Sequence, residues 1–164
     1  MNKADIGSAV YVTTTFTLTP TIMKKIKEIW NATSPSLSST QNILSVITYQ
    51  QCPPPPPAAT PNAMGFAANS KPHENLIIFI ASLYWDLASD SEFVRQTSRE
   101  MMDKIEEATK AEGAFHPFKY MNYAAPWQNV LESYGEEAYD ALKAVSAKYD
   151  PEGFFQRQAL GFKL

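Results

Sequence analysis

The stretch LIIFIASLYWD, residues 76–86, decides the fold because it is apolar on both faces of an extended chain. A strand with one wet face alternates apolar and polar side chains, whereas a strand covered on both sides reads as a continuous apolar run. The stretch is also too short to cross a bilayer as a helix. We therefore predict a central strand of a sheet, with a layer of structure on each side.

Residues 9–18, AVYVTTTFTL, alternate and predict an antiparallel partner strand with one core face. The core face would carry Val10, Val12, Phe16 and Leu18, and the other face Tyr11, Thr13, Thr15 and Thr17. A further strand is predicted over residues 42–51, NILSVITYQQ. It ends at CPPPPPAATP, where consecutive prolines cannot join a ladder or a helix and predict an extended surface connection.

Three helices are indicated by their start signals and apolar stripes. Thr19 offers an N-cap to a helix whose first residue is Pro20. Ser89 with Glu92 has the spacing of a capping box and predicts a long helix to about residue 111. A third helix is expected from Gly135, with an apolar stripe formed by Ala138, Ala141, Leu142, Val145 and Tyr149.

The order of these elements predicts the fold class. A strand, a helix, two strands and then helices indicate an α+β fold, in which helices pack on one face of an antiparallel sheet. A chain of 164 residues has the size of one ordinary domain, and no composition shift divides it. We expect a single domain over residues 1–164.

Charge and cysteine content exclude several classes of partner. The net charge is -3 and no basic run occurs, so neither nucleic acid nor an anionic membrane surface is expected as a partner. Cys52 is the only cysteine, which leaves no internal disulfide. The first residues contain no apolar leader. These features favour a reducing compartment, and we expect a cytoplasmic protein.

Familiar catalytic motifs are missing from the sequence. His73 and His116 are the only histidines, and neither has a second ligand at helical spacing, so no metal is expected. The glycine-rich phosphate loops and the nucleophile elbow are absent as well. No bound cofactor is predicted from the residues themselves.

Aromatic and amide side chains concentrate in KYMNYAAPWQNVLESYG, residues 119–135. Together with Tyr84 and Trp85 they suit a pocket that orients an apolar, sparsely oxygenated ligand, because rings supply contact area and hydroxyl or amide groups supply hydrogen bonds. The alternative is an ordinary core whose polar tips are satisfied internally.

Several short motifs, YMNYAAPWQ, SYG, YDPEGFFQ and the final GFKL, resemble the C-terminal end of fungal FAD-linked oxidoreductases of the berberine bridge enzyme-like group. Upstream, TTTFTL and LYWD are similar to the substrate-binding domain of that group, so the resemblance covers most of residues 8–164. It implies that Tyr120 and Asn122 match positions close to the flavin ring. The family's N-terminal flavin-holding domain has no counterpart in this sequence.

The resemblance leads to a first hypothesis: a cofactor-free cyclase or isomerase of fungal secondary metabolism, for example an intramolecular Diels–Alderase. An apolar small molecule would be the substrate, with Tyr120, Tyr123 or His116 as the catalytic donor. An acid–base isomerase would instead use His116 or Asp86. The expected substrate-binding residues are Tyr11, Thr13, Tyr84, Trp85, Asn122, Trp127 and Gln128.

Two alternatives stay open. The chain could be a fragment or split subunit of an FAD-linked oxidoreductase, or a non-catalytic protein that binds small molecules. Complete, capped elements with a balanced core favour an autonomous domain and therefore the first hypothesis. A sheet face left open without a flavin domain would also favour a homodimer, because large apolar patches are rare on monomers.

Overall fold

The computed structural model describes residues 7–52, 63–66 and 75–164. The helices and strands are β1 Ser8–Thr17, α1 Pro20–Thr33, β2 Leu44–Cys52, β3 Leu76–Trp85, α2 Ser91–Ala111, β4 Phe115–His116, α3 Glu136–Tyr149 and α4 Phe154–Gln158. Short 3₁₀ turns occupy Ser34–Ser39, Ala88–Asp90, Met121–Tyr123 and Glu132–Tyr134. The proline run predicted as an extended connection, residues 53–57, lies outside the described residues.

The sheet has the strand order β2-β3-β1-β4, and each neighbouring pair is antiparallel. β3 lies inside it, paired with β1 on one side and β2 on the other. Nine of its ten side chains are buried, and Tyr84 is the partly exposed one. The α+β class and the central strand covered on both sides are therefore confirmed.

Helices α1 and α2 pack on one face of the sheet. This core contains fully buried side chains from both layers, including Phe16 and Phe79 from the strands and Ile22, Ile26 and Ile105 from the helices. The predicted start of α1 is confirmed. The Thr19 hydroxyl accepts a hydrogen bond from the Ile22 amide at 3.2 Å, and Pro20 occupies the first turn.

The opposite face of the sheet is also largely covered, which corrects the prediction that β1 has one buried face. Thr13 and Thr15 are fully buried on that side. The covering layer is the chain that follows β4, whose side chains Phe118, Val130 and Tyr134 pack on the β3 residues Ile78 and Ile80. The apolar run of β3 predicted a cover on this side, but the sequence pattern did not show which segment supplies it, because the layer consists of 3₁₀ turns and irregular chain without a regular apolar period.

Gln128 fastens this second layer to the sheet. Its side-chain oxygen accepts hydrogen bonds from the amides of Thr13, at 3.1 Å, and Ala125, at 3.0 Å. Its side-chain nitrogen donates to the Thr13 carbonyl at 2.8 Å. One buried amide therefore satisfies both backbone groups of a residue in the middle of β1, as an adjacent strand would.

Two helix predictions need correction. The capping box of Ser89 and Glu92 is not formed: Ser89 lies in a 3₁₀ turn, and α2 begins at Ser91, whose hydroxyl accepts a hydrogen bond from the Trp85 indole at 3.1 Å. In α3 the apolar stripe is only partly covered. Ala138 and Leu142 contact the second layer. Ala141 is exposed, and so are Val145 and Tyr149, at 56% and 72% of their surface.

Replacing Gln128 by alanine should lower the free energy of unfolding by about 2–4 kcal/mol, because buried backbone groups of Thr13 and Ala125 lose their partners. Urea denaturation followed by circular dichroism measures this change. The exposed neighbour Asn129→Ala is the control and should stay within about 0.5 kcal/mol of the original protein. A Gln128→Ala variant as stable as the control would contradict the assigned role.

Candidate functional site

The covering layer stops before one end of the sheet, and the candidate site lies there. Tyr11 is opposite Ser82 in the β1–β3 ladder, so it shares a face with Tyr84 two residues further along β3. This is the face on which the second layer packs. At the 3₁₀ turn Met121–Tyr123, the Tyr123 ring lies beside Tyr11 and the Tyr120 ring lies beside Tyr123. We call these four residues the tyrosine cluster.

A hydrogen-bonded pair of hydroxyls forms the centre of the tyrosine cluster. The Tyr11 and Tyr84 oxygens are 2.9 Å apart, and the two rings meet edge to face at 90° with their centroids 5.8 Å apart. This hydrogen bond raises the pKa of Tyr11 above its ordinary value, and burial and the nearby Tyr84 and Tyr123 act in the same direction. Tyr11 therefore keeps its proton at neutral pH and remains a hydrogen-bond donor.

The remaining members extend the aromatic surface outward. The Tyr123 ring lies 5.7 Å from that of Tyr11 and 5.6 Å from that of Tyr120. The Asn122 amide donates to the Tyr120 hydroxyl at 3.1 Å. Tyr123 and Met121 are 37% and 38% exposed, so the outer side of the cluster is open to solvent. The structure thus joins five of the predicted site residues: Tyr11, Tyr84, Tyr120, Asn122 and Tyr123.

His116 lies elsewhere on the same face. It pairs with Thr15 in the β1–β4 ladder, four residues from Tyr11 along β1, which corresponds to about 13 Å of strand. The ring is buried, contacts Phe66 and accepts a hydrogen bond from the Phe118 amide at Nδ1. This position fixes the local chain and separates the ring from the exposed end of the tyrosine cluster.

The two tryptophans proposed as walls belong to the helix side of the protein. Trp85 shares its face of β3 with Leu83 and is almost fully buried. Its indole donates to Ser91, so its polar edge is already used. Trp127 is partly buried against the same core, and the Arg99 guanidinium lies 4.9 Å from the centre of its ring. Neither tryptophan is placed beside Tyr11.

Three further predicted residues have contacts that explain them structurally. Thr13 is fully buried, and its hydroxyl donates to the Phe79 carbonyl at 3.0 Å. Gln128 uses its amide to hold Thr13 and Ala125. Asp86, the alternative acid–base residue, is exposed just after β3 and accepts a hydrogen bond from Asn42 at 2.5 Å.

Sequence reasoning missed two residues that border the tyrosine cluster. Leu44 pairs with Tyr84 and Val46 pairs with Ser82 in the β2–β3 ladder, so both lie on the tyrosine face. They are 55% and 42% exposed. Both faces of β2 carry apolar side chains, for example Val46 on one and Ile47 on the other, so the sequence does not tell which face is left open.

The described residues contain no group of metal ligands, and the turn beside the tyrosine cluster does not fit the phosphate part of a flavin cofactor. Within residues 7–52, 63–66 and 75–164, no group of three histidine, cysteine, aspartate or glutamate side chains could hold a metal ion. FAD carries a diphosphate, which proteins hold with a glycine-rich turn or a helix N-terminus. The turn that borders the tyrosine cluster, Met121–Tyr123, contains no glycine. These residues can contact a ligand ring but do not fit the diphosphate.

A separate cavity of about 520 Å³ lies on the outer side of the second layer. Leu131, Tyr139 and Phe162 are among its walls, which come from the covering segment, α3 and the C-terminal residues. None of the four residues of the tyrosine cluster lines it. In the described part of the chain, no helix is long and apolar enough to cross a membrane.

Comparison with known proteins gives partial matches to fungal FAD-dependent monooxygenases. The chain is 42% identical over 94 residues to the FAD-dependent monooxygenase tpcD of Cochliobolus heterostrophus, covering 57% of this chain and 18% of that protein. It is 38% identical over 87 residues to the bifunctional solanapyrone synthase of Alternaria solani, covering 52% of this chain and 17% of the relative. No protein-family model and no solved structure matches the chain.

A longer match extends over nearly the whole chain. Oligopeptidase PhomG' of Diaporthe leptostromiformis is 30% identical over 162 residues, which cover 94% of this chain but 13% of that protein. The chain thus spans less than a fifth of the length of each of these three relatives. It is similar to one section of much longer proteins.

Proposed function

We propose that the tyrosine cluster is the substrate-binding wall of a flavin-dependent oxidoreductase of the berberine bridge enzyme-like group, with the flavin held by a partner surface outside the described residues. The substrate would be an apolar small molecule with a conjugated carbonyl or phenolic oxygen. The observation that carries the proposal is the Tyr11–Tyr84 hydroxyl pair at the open end of the face that β1 and β3 share.

The hydroxyl pair can recognise an oxygen atom of the substrate. Within the pair one hydroxyl donates and the other accepts, which leaves the proton of the accepting hydroxyl for a further partner. A carbonyl or enolate oxygen is a suitable partner, and a chain of hydrogen bonds polarises its members in the same direction. The contribution of these residues is to orient the substrate and to stabilise negative charge on its oxygen.

The relatives support the flavin part of the proposal. Several of them are named FAD-dependent monooxygenases, and the chain corresponds to less than a fifth of their length. The tyrosine cluster forms only one wall of a site, and a second surface must complete it. This is what we expect of a chain that corresponds to one section of a longer protein. The bound flavin would supply the oxidation chemistry, while Tyr11, Tyr84 and Tyr123 would hold the substrate.

A second candidate is the cofactor-free cyclase or isomerase. It is favoured by the Tyr11–Tyr84 hydroxyl pair, because a hydrogen-bond donor to a conjugated carbonyl activates the dienophile without any cofactor. Folding a flexible substrate against the rings would lower the entropic part of the barrier. In this case the second wall would come from another copy of the chain.

The hydroxyl pair should control binding of benzalacetone, a conjugated ketone with one apolar ring. Replacing both Tyr11 and Tyr84 by phenylalanine should raise its dissociation constant about tenfold, or about 1.4 kcal/mol, because the donor is lost while the rings remain. Isothermal titration calorimetry measures this change, with the exposed Tyr149→Phe as the control. Equal affinity of the double variant and the control would contradict the proposal.

The pH dependence of the same binding follows from the raised pKa of Tyr11. Because the phenol keeps its proton to a higher pH than a free tyrosine, affinity should be constant between about pH 6 and pH 9. It should fall only when the pH rises past the ordinary tyrosine pKa of about 10.

The two candidates separate on 1,7,9-decatrien-3-one, which closes to a bicyclic ketone by an intramolecular Diels–Alder reaction. If the chain is a substrate wall that depends on a flavin-holding partner, the cyclisation rate should equal that in buffer. The protein alone should then also lose added FAD on a desalting column. Acceleration of about tenfold or more that is lost in the Tyr11→Phe/Tyr84→Phe variant would establish the cyclase. Retention of one FAD per chain would contradict both candidates.

A further inference from the structure

One half of the outward face of β2 is apolar although it is exposed. Leu44 and Val46 occupy alternate positions of this edge strand, opposite Tyr84 and Ser82 of β3. More than two-fifths of each side chain is exposed. The alternate side chains of β2 point to the helix side, where Ile47 and Tyr49 pack against the core.

The apolar character ends abruptly along the same face. The next two outward positions are Thr48 and Gln50, which lie opposite Ile80 and Ile78 and are also exposed. The apolar strip of Leu44 and Val46 is therefore only one strand repeat long, about 7 Å between the two residues. A strip of this size is much smaller than a stable protein–protein interface requires.

The strip begins where the hydroxyl pair is. Leu44 lies directly opposite Tyr84, whose hydroxyl bonds to that of Tyr11. Neighbouring strands are about 4.8 Å apart. A small ligand whose oxygen binds the hydroxyl pair is therefore long enough to contact the strip as well. Polar donors at one end and a short apolar floor at the other match a small molecule with an oxygenated head and an apolar tail.

We propose that Leu44 and Val46 form the floor for the apolar tail of the ligand and that Thr48 sets the limit of its length. The ligand class is then a conjugated or aryl ketone, or a phenol, with an unbranched apolar tail that extends along β2. This inference rests on the proposed binding role of the tyrosine cluster and adds a specificity determinant to it. Because the floor is partly exposed, each methylene of the ligand tail would be about half buried on it, and each should raise the affinity about twofold.

The test uses para-alkyl acetophenones with tails from methyl to octyl, titrated by calorimetry into the full chain. In the original protein, affinity should rise with tail length and then level off. Val46→Thr keeps the branched shape suited to a strand but adds a hydroxyl. It should reduce the affinity for the longer tails about threefold to fivefold and leave that for the methyl compound unchanged.

A gain of function makes the test sharper. Thr48→Val extends the apolar strip by one position, so the affinity should continue to rise beyond the tail length at which the original protein levels off. The Gln50→Glu variant is the matched control, since it changes an exposed outward position without extending the strip. It should leave the length dependence of the original protein in place.

The outcomes distinguish this inference from the proposed function. If no acetophenone binds to the original protein, the binding role of the tyrosine cluster itself fails. If the compounds bind and depend on Tyr11 and Tyr84, but Val46→Thr and Thr48→Val both leave the length dependence unchanged, only the floor is overturned. If Val46→Thr instead converts a dimer to a monomer by analytical ultracentrifugation without changing ligand affinity, the strip belongs to an interface between two copies.

Discussion

The arrangement of the protein depends on the three hydrogen bonds of the Gln128 side chain. This amide occupies both backbone groups of Thr13 in the middle of β1 and also holds the Ala125 amide. The covering segment is irregular and makes few hydrogen bonds within its own backbone. A side-chain anchor such as Gln128 therefore helps to hold it on the sheet. The anchor lies at Thr13, two residues from Tyr11, and the side chains of the covering layer pack on Ile78 and Ile80 of the neighbouring strand.

The parts of the fold with a regular period could be predicted from the sequence. The continuous apolar run of β3 and the Thr19–Pro20 start of α1 each have a local physical cause, and the structure contains both. The residues that form the second layer could not be predicted, although the apolar run of β3 required such a cover, because Phe118, Val130 and Tyr134 lie in irregular chain with no repeating spacing. The capping box predicted at Ser89 is also absent. The helix begins at Ser91 instead, and the Ser91 hydroxyl accepts a hydrogen bond from the Trp85 indole that a local sequence pattern does not show.

The sequence indicated which types of residue form the candidate site, but not which individual residues lie together. Tyr123 lies beside Tyr11, and Tyr120 and Asn122 join the cluster through contacts at the same 3₁₀ turn. His116 and Trp85 were grouped with them by chemistry alone. The register of β1 places His116 further along the strand, and the alternation of β3 sends Trp85 to the helix side. Leu44 and Val46 could not be assigned before it was known which face of the edge strand is open.

Tyrosine-selective NMR can establish whether ligands bind this protein at the tyrosine cluster. With ¹³C-labelled tyrosine rings assigned by single phenylalanine substitutions, benzalacetone is added and the ring resonances are followed. We expect shifts at Tyr11, Tyr84 and Tyr123, with Tyr139 and Tyr149 unchanged. Shifts confined to Tyr139, which lines the separate cavity, would place the ligand there and would contradict binding at the tyrosine cluster.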